Sequence, residues 1–83
     1  MDPKMIRALH YDCAMKLERF IKEAGKMCDL LGKMEEFPLS RAVQSATVLA
    51  GRKEEVALAA YHDARRKFFQ ASISSELAQQ KGQ

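Results

Sequence analysis

The sequence predicts an all-α fold, a long antiparallel hairpin of two helices that assembles into a helical-bundle homo-oligomer. Three observations lead there. An apolar stripe at helical spacing runs from Ile6 to Met34, one strong break follows at Glu35-Glu36-Phe37-Pro38, and a second stripe built mostly of alanine fills the rest. With 83 residues the chain has room for a single domain, residues 1–83. A domain of that size buries only about two-thirds of the surface its unfolded form exposes.

The first helix is expected over residues 3–34. Asp2 is placed to cap its free N–H groups, and Pro3 suits the first helical position, where its missing donor would be unpaired in any case. Ile6, His10, Cys13, Leu17, Phe20, Ala24, Met27, Leu31 and Met34 recur at alternating spacings of 4 and 3, with Ala14, Ile21 and Cys28 beside them. The opposite side carries Lys4, Asp12, Arg19, Lys22, Glu23, Lys26 and Lys33. Gly25 falls on that wet side and leaves no hole in the seam.

A turn is expected over residues 35–39. Phe37 precedes a proline and is biased away from helical geometry, so Phe37 is read as the plug for that end of the hairpin. Ser40 is the natural cap of a second helix running from about residue 40 to about residue 77, with a frayed polar tail over residues 78–83. Its stripe reads Leu39, Val43, Ala46, Ala50, Ala57, Ala60, Ala64 and Ala71, flanked by Tyr61 and Phe68 and interrupted by Lys53. The alternative is a three-helix bundle with a break near Gly51. A helix restarting at Arg52 would lack any Ser, Thr, Asp or Asn cap, which favours one continuous helix.

Self-association follows from the apolar residues that the second stripe does not use. Val48, Leu58, Phe69, Ile73 and Leu77 point about 100 to 180 degrees away from the alanines on a helix of 3.6 residues per turn. A helix apolar on two sides needs neighbours on both. Leu58, Tyr61, Phe69 and Ile73 are therefore the expected partner or oligomer interface.

Composition excludes several classes. The chain is 47% hydrophobic and 30% charged with four Gly and two Pro, too apolar for disorder and too poor in turn residues for an all-β domain. Its longest apolar run, Val56 to Tyr61, is far short of the roughly 20 residues that span a bilayer, so no membrane partner is expected. The start lacks the pattern of a secretory signal, and Cys13 and Cys28 read as reduced thiols, which together predict a cytoplasmic location. Met15 lies off the main stripe and is a candidate exposed contact.

No glycine-rich phosphate loop, no cysteine-pair zinc spacing and no carboxylate pair on a defined site is present in the sequence. His10 and Cys13 share a helix face, but His62 projects off the alanine stripe, so one subunit does not assemble a three-ligand metal site from them. The expectation is no enzyme, no metal and no cofactor. The densest basic stretch is Arg65-Arg66-Lys67, backed by Arg52 and Lys53. Consecutive helical residues fan out by 100 degrees, so these cations form a collar suited to phosphates of RNA, DNA or a small nucleotide. Against that stands a net charge of only +3, from 14 basic and 11 acidic residues.

The sequence thus predicts a small self-associating binding protein that acts as an accessory, adaptor or inhibitor by occupying a partner's surface. The alternative is an anion-binding protein that uses the basic collar. Compact helical chains without motifs resemble, in composition, the small regulatory proteins and inhibitors of bacteria and their phages.

Overall fold

Two helices, α1 over Pro3–Glu36 and α2 over Arg41–Lys81, run antiparallel as a single hairpin. The computed structural model describes residues 2–81, and side chains through Glu76. The side chain of Leu77 and residues 82 and 83 lie outside the described part. Helix α2 continues to Lys81, past the end expected near residue 77.

The local chemistry of the ends is simple. Asp2 adopts an extended conformation, and its carboxylate accepts a hydrogen bond from the Lys4 N–H at 3.0 Å, with Pro3 opening the helix. At the other end the Phe37 N–H donates to the Lys33 carbonyl at 2.8 Å before Pro38 stops the chain from continuing. Ser40 caps α2: its hydroxyl oxygen accepts from the Val43 N–H at 3.3 Å. The Gln44 amide reaches back to donate to the Pro38 carbonyl at 2.9 Å. These polar contacts fix the turn. Phe37 does not plug it, since its side chain is exposed, and Leu39 is 92% exposed and belongs to no stripe.

Helix α2 passes through Gly51 without a break, so the fold is the two-helix hairpin and not the three-helix bundle. A Cβ at Gly51 would sit 3.7 Å from the Met27 methyl, an ordinary contact. That contact also sets the register. Met27 lies level with Gly51, and one end of the rod is matched by the His10 ring, 5.2 Å from that of Phe68.

The seam has a strict seven-residue repeat on both helices. Helix α1 contributes Ile6, Leu9, Cys13, Lys16, Phe20, Glu23, Met27, Leu30 and Met34, all buried or half-buried. Helix α2 contributes Val43, Thr47, Ala50, Glu54, Ala57, Tyr61, Ala64, Phe68, Ala71 and Ser75, likewise removed from full exposure. Spacings of three and four keep two helices in contact over many turns only if they supercoil slightly. Ala50, Ala57, Ala64 and Ala71 are the most buried apolar residues, and they let the larger side chains of α1 lie close to the α2 backbone. Thr47 is buried with them, its hydroxyl donating to the Val43 carbonyl at 2.7 Å.

The phase of α1 differs from the sequence expectation. The residues that meet α2 include Leu9, Lys16, Glu23 and Leu30, whereas His10, Leu17 and Leu31 are exposed. Lys16 can pack its methylene stem over alanines while its ammonium reaches Asp12 at 3.5 Å at the side of the seam, whereas Glu23 is 9% exposed with one carboxylate oxygen buried. The hairpin therefore closes with α1 rotated by about 50 degrees from the centre of its own apolar stripe.

The result is a rod of 66 × 15 × 14 Å in which no described side chain is fully buried. Its accessible surface is 6693 Å². A compact monomer of 9.4 kDa would expose about 5,000 Å².

Candidate functional surfaces

The seam divides the hairpin into two long sides, one richer in exposed apolar residues of α1 and the other richer in cations, where Leu49 (54%) and Val56 (70%) are also exposed. On one side, stepping a single position off the seam of α1 brings out His10, Leu17, Ala24 and Leu31, with Ile21 and Cys28 beyond them. The matching step on α2 brings out Gly51 and Leu58, with Val48 and Phe69 beyond. Ile21 is 61% exposed, Leu31 50%, Val48 57% and Phe69 58%. Leu58 is half-buried at the edge of the seam. Met27 and Met34 line the groove between the helices here, together with Thr47, Val48 and Gly51 and, at its polar rim, Gln44, Arg52 and Glu55. Cys28 is exposed on this side, and Cys13 is half-buried in the seam, so the two thiols do not meet.

The other side is cationic. Lys16, Arg19 and Glu23 of α1 and Arg52 and Lys53 of α2 line a groove of 360 Å³ together with Val56, Ala57 and Ala60; Val56 is 70% exposed, and Arg52 also borders the groove on the other side. A second groove continues along the rod past Lys26, Leu30 and Lys33, sharing Glu23 and Lys53 with the first. Glu23 is only 9% exposed. One of its carboxylate oxygens is 3.8 Å from the Lys26 ammonium, while the other, Oε2, is buried and accepts no hydrogen bond from any described group. Lys16 pairs along its own helix with Asp12 at 3.5 Å.

These two sides redistribute the residues singled out from the sequence. Of the expected interface set, Leu58 and Phe69 lie on the apolar side. Tyr61 is half-buried in the hairpin's own seam, its ring 5.8 Å from that of His62. Ile73 is exposed, on the turn of α2 that faces away from α1.

The basic collar is not one site. Arg52 and Lys53 line the cationic groove, whereas Arg65 is exposed one step off the seam on the apolar side. Arg66 and Lys67 both bind Asp63, at 2.7 and 2.9 Å. The hydrogen bond from Arg66, followed by that from Lys67, holds the Asp63 carboxyl below its ordinary value of 3.8. Met15 is exposed, as expected for a contact residue off the stripe.

Lys16, Arg19 and Glu23 were not legible as site residues from the stripe alone. The available signal was the series Leu9, Lys16, Glu23, Leu30, which repeats every seven residues in step with Ile6, Cys13, Phe20, Met27 and Met34. A partner helix with alanine at every seventh position leaves room for a lysine and a glutamate in that series. No family model matches the chain, nor does any curated protein or solved structure.

Proposed function

We propose that this protein is a self-associating helical binding protein, a second copy of the chain covering the apolar side of the hairpin to make a four-helix bundle. The observation behind the reading is the phase of α1. Its apolar stripe is centred off the hairpin seam, so Leu17, Ile21 and Leu31 are exposed on the same side as Val48 and Phe69, which Glu55 and His62 separate along α2. Area supports a second copy as the occupant. The rod exposes about 1,700 Å² more than a compact monomer of its mass. A standard interface removes about 800 Å² from each partner, so one two-fold contact along the apolar side offsets about half of that excess. The ends and outer faces, including Tyr11, Met15 and Ile73, stay available to a partner protein, which supports action by occupying a surface, as an accessory, adaptor or inhibitor, rather than by catalysis.

Light scattering behind a sizing column tests this. The expected result is a dimer or larger species at both low and high salt, because apolar contacts are insensitive to screening. A monomer at both salts would overturn the reading.

A further inference from the structure

The side of the hairpin that α1 leaves open is not apolar throughout. Glu55 and His62 stand between Val48 and Phe69, and Arg65 lies one step round the same helix. All three polar residues are exposed, and neither Glu55 nor Arg65 forms an ion pair among the described residues. They belong to a second series at spacings of three and four, beside the hairpin seam. On α2 it includes Gly51, Glu55, Leu58, His62, Arg65 and Phe69; on α1 it includes Ala14, Leu17, Ile21 and Ala24.

Resting on the reading that a second copy covers this side, we infer that the two hairpins lie antiparallel, with a two-fold axis at mid-rod that sets Glu55 of each copy against Arg65 of the other. Antiparallel copies of one helix bring together residues equally distant from the axis. An axis at residue 60 of α2 places Leu58 on His62, the small Gly51 on the exposed Phe69, and Glu55 on Arg65. Both unpaired charges then meet an opposite one, twice in the dimer. On α1 an axis at residue 19 places Leu17 on Ile21 and Ala14 on Ala24. The hairpin register joins these two results. Met27 beside Gly51 and His10 beside Phe68 set residue 19 level with residue 59, so one axis serves both helices to within about 1.5 Å, the rise of one residue. Slipping α2 by one heptad puts Glu55 on Leu58 or Ser72 and Arg65 on Val48 or His62, so the charges select one register. Parallel rods would instead lay each α2 over α1 of the other copy. Glu55 would then face Ala24 and Arg65 would face Ala14, and neither charge would find a partner.

Two measurements on the full-length chain test this arrangement. Glu55→Arg and Arg65→Glu each set like charges together twice, and each should weaken the dimer by about ten-fold or more at low salt, with helicity unchanged. The double variant Glu55→Arg with Arg65→Glu keeps the net charge of the parent chain and should regain its affinity, read by sedimentation equilibrium. The second measurement is the distance between nitroxide labels on Lys33→Cys, in a chain that also carries Cys13→Ala and Cys28→Ala. Lys33 lies on the cationic side, away from the proposed interface. Standing about 14 residues from the axis, the two labels should be about 42 Å apart or more in the antiparallel pair, whereas parallel rods hold them within about 25 Å, two helix diameters. A double variant no tighter than the single ones, or the short distance in a chain that dimerises, overturns the arrangement and leaves self-association standing. A parent chain that stays monomeric at every concentration overturns self-association and the arrangement together.

Discussion

The two long sides of the hairpin flank the same seam, yet one is apolar and the other cationic. Leu17, Ile21 and Leu31 stand one or two positions round α1 from Cys13, Phe20 and Met27; Arg19, Lys26 and Lys33 stand the same distance in the opposite sense. The hairpin closes between these two sets instead of on the apolar one. What the difference teaches is that the seam of this protein is a compromise. Small residues on α2 allow α1 to bury the stems of Lys16 and Glu23, and the rotation that achieves it leaves half of the apolar stripe exposed.

The largest expected effect comes from placing charge on the apolar side. If the proposed oligomer forms, Ile21→Glu with Phe69→Glu should convert it to monomer and lower stability by about 3 kcal/mol or more, since burying each such side chain contributes about 1.5 to 3 kcal/mol. For a domain of this size that is a fall in Tm of about 12 °C or more, read by thermal melts alongside light scattering. The same chemical change on the cationic side, Leu49→Glu, should alter neither mass nor Tm appreciably. Equal effects from the two sides would break the comparison.

Next in size are changes to the seam that separates the sides. Ala57→Leu places three extra carbons against the close approach of the helices and should cost about 1 to 3 kcal/mol in a denaturant melt. Glu23→Leu acts in the opposite direction. It removes a buried carboxylate with an unpaired oxygen and supplies an apolar side chain of similar reach, so stability should rise by about 1 to 3 kcal/mol. A loss of stability in Glu23→Leu would mean that the carboxylate is fully satisfied in solution, and the cationic side would then be an ordinary solvated face.

Much of this architecture is readable in the sequence, and the unread part has one origin. The Asp2-Pro3 start, the Phe37-Pro38 stop, the Ser40 cap and the alanine repeat each act through local chemistry, so the sequence alone places two helices and a short antiparallel turn. The phase of α1 is different. Hydrophobicity centres its stripe on His10, Leu17, Ala24 and Leu31, and that centre is a true property of the isolated helix. Which flank of the stripe meets α2 depends on the partner's small residues and on the reach of Lys16 and Glu23, which are tertiary facts. The same reason hid the cationic groove. Lys16 and Arg19 are far in sequence from Arg52 and Lys53, and only the register that sets Met27 beside Gly51 brings them together. Arg66 and Lys67 looked available because consecutive cations are conspicuous, yet Asp63 lies three and four positions earlier on the same helix and binds both.

Smaller effects sharpen the picture at single positions. Gly51→Ala should raise stability by about 0.5 to 1 kcal/mol, because the new methyl meets the Met27 methyl at ordinary distance and the helix loses its most flexible residue. A loss of stability there would point to a bend at Gly51 and a shorter seam.

The smallest effect belongs to Asp63, and its sign is fixed by linkage. Its carboxyl is held below the ordinary value of 3.8 by Arg66 and Lys67, so the folded state binds the proton less readily than the unfolded chain. The contribution is present in full above the ordinary carboxylate range and disappears as pH falls through the depressed value. All three side chains are exposed, so solvent and salt screen it heavily. Asp63→Asn should therefore lower Tm slightly at neutral pH and low salt, leave it unchanged at high salt, and match the parent chain in strong acid.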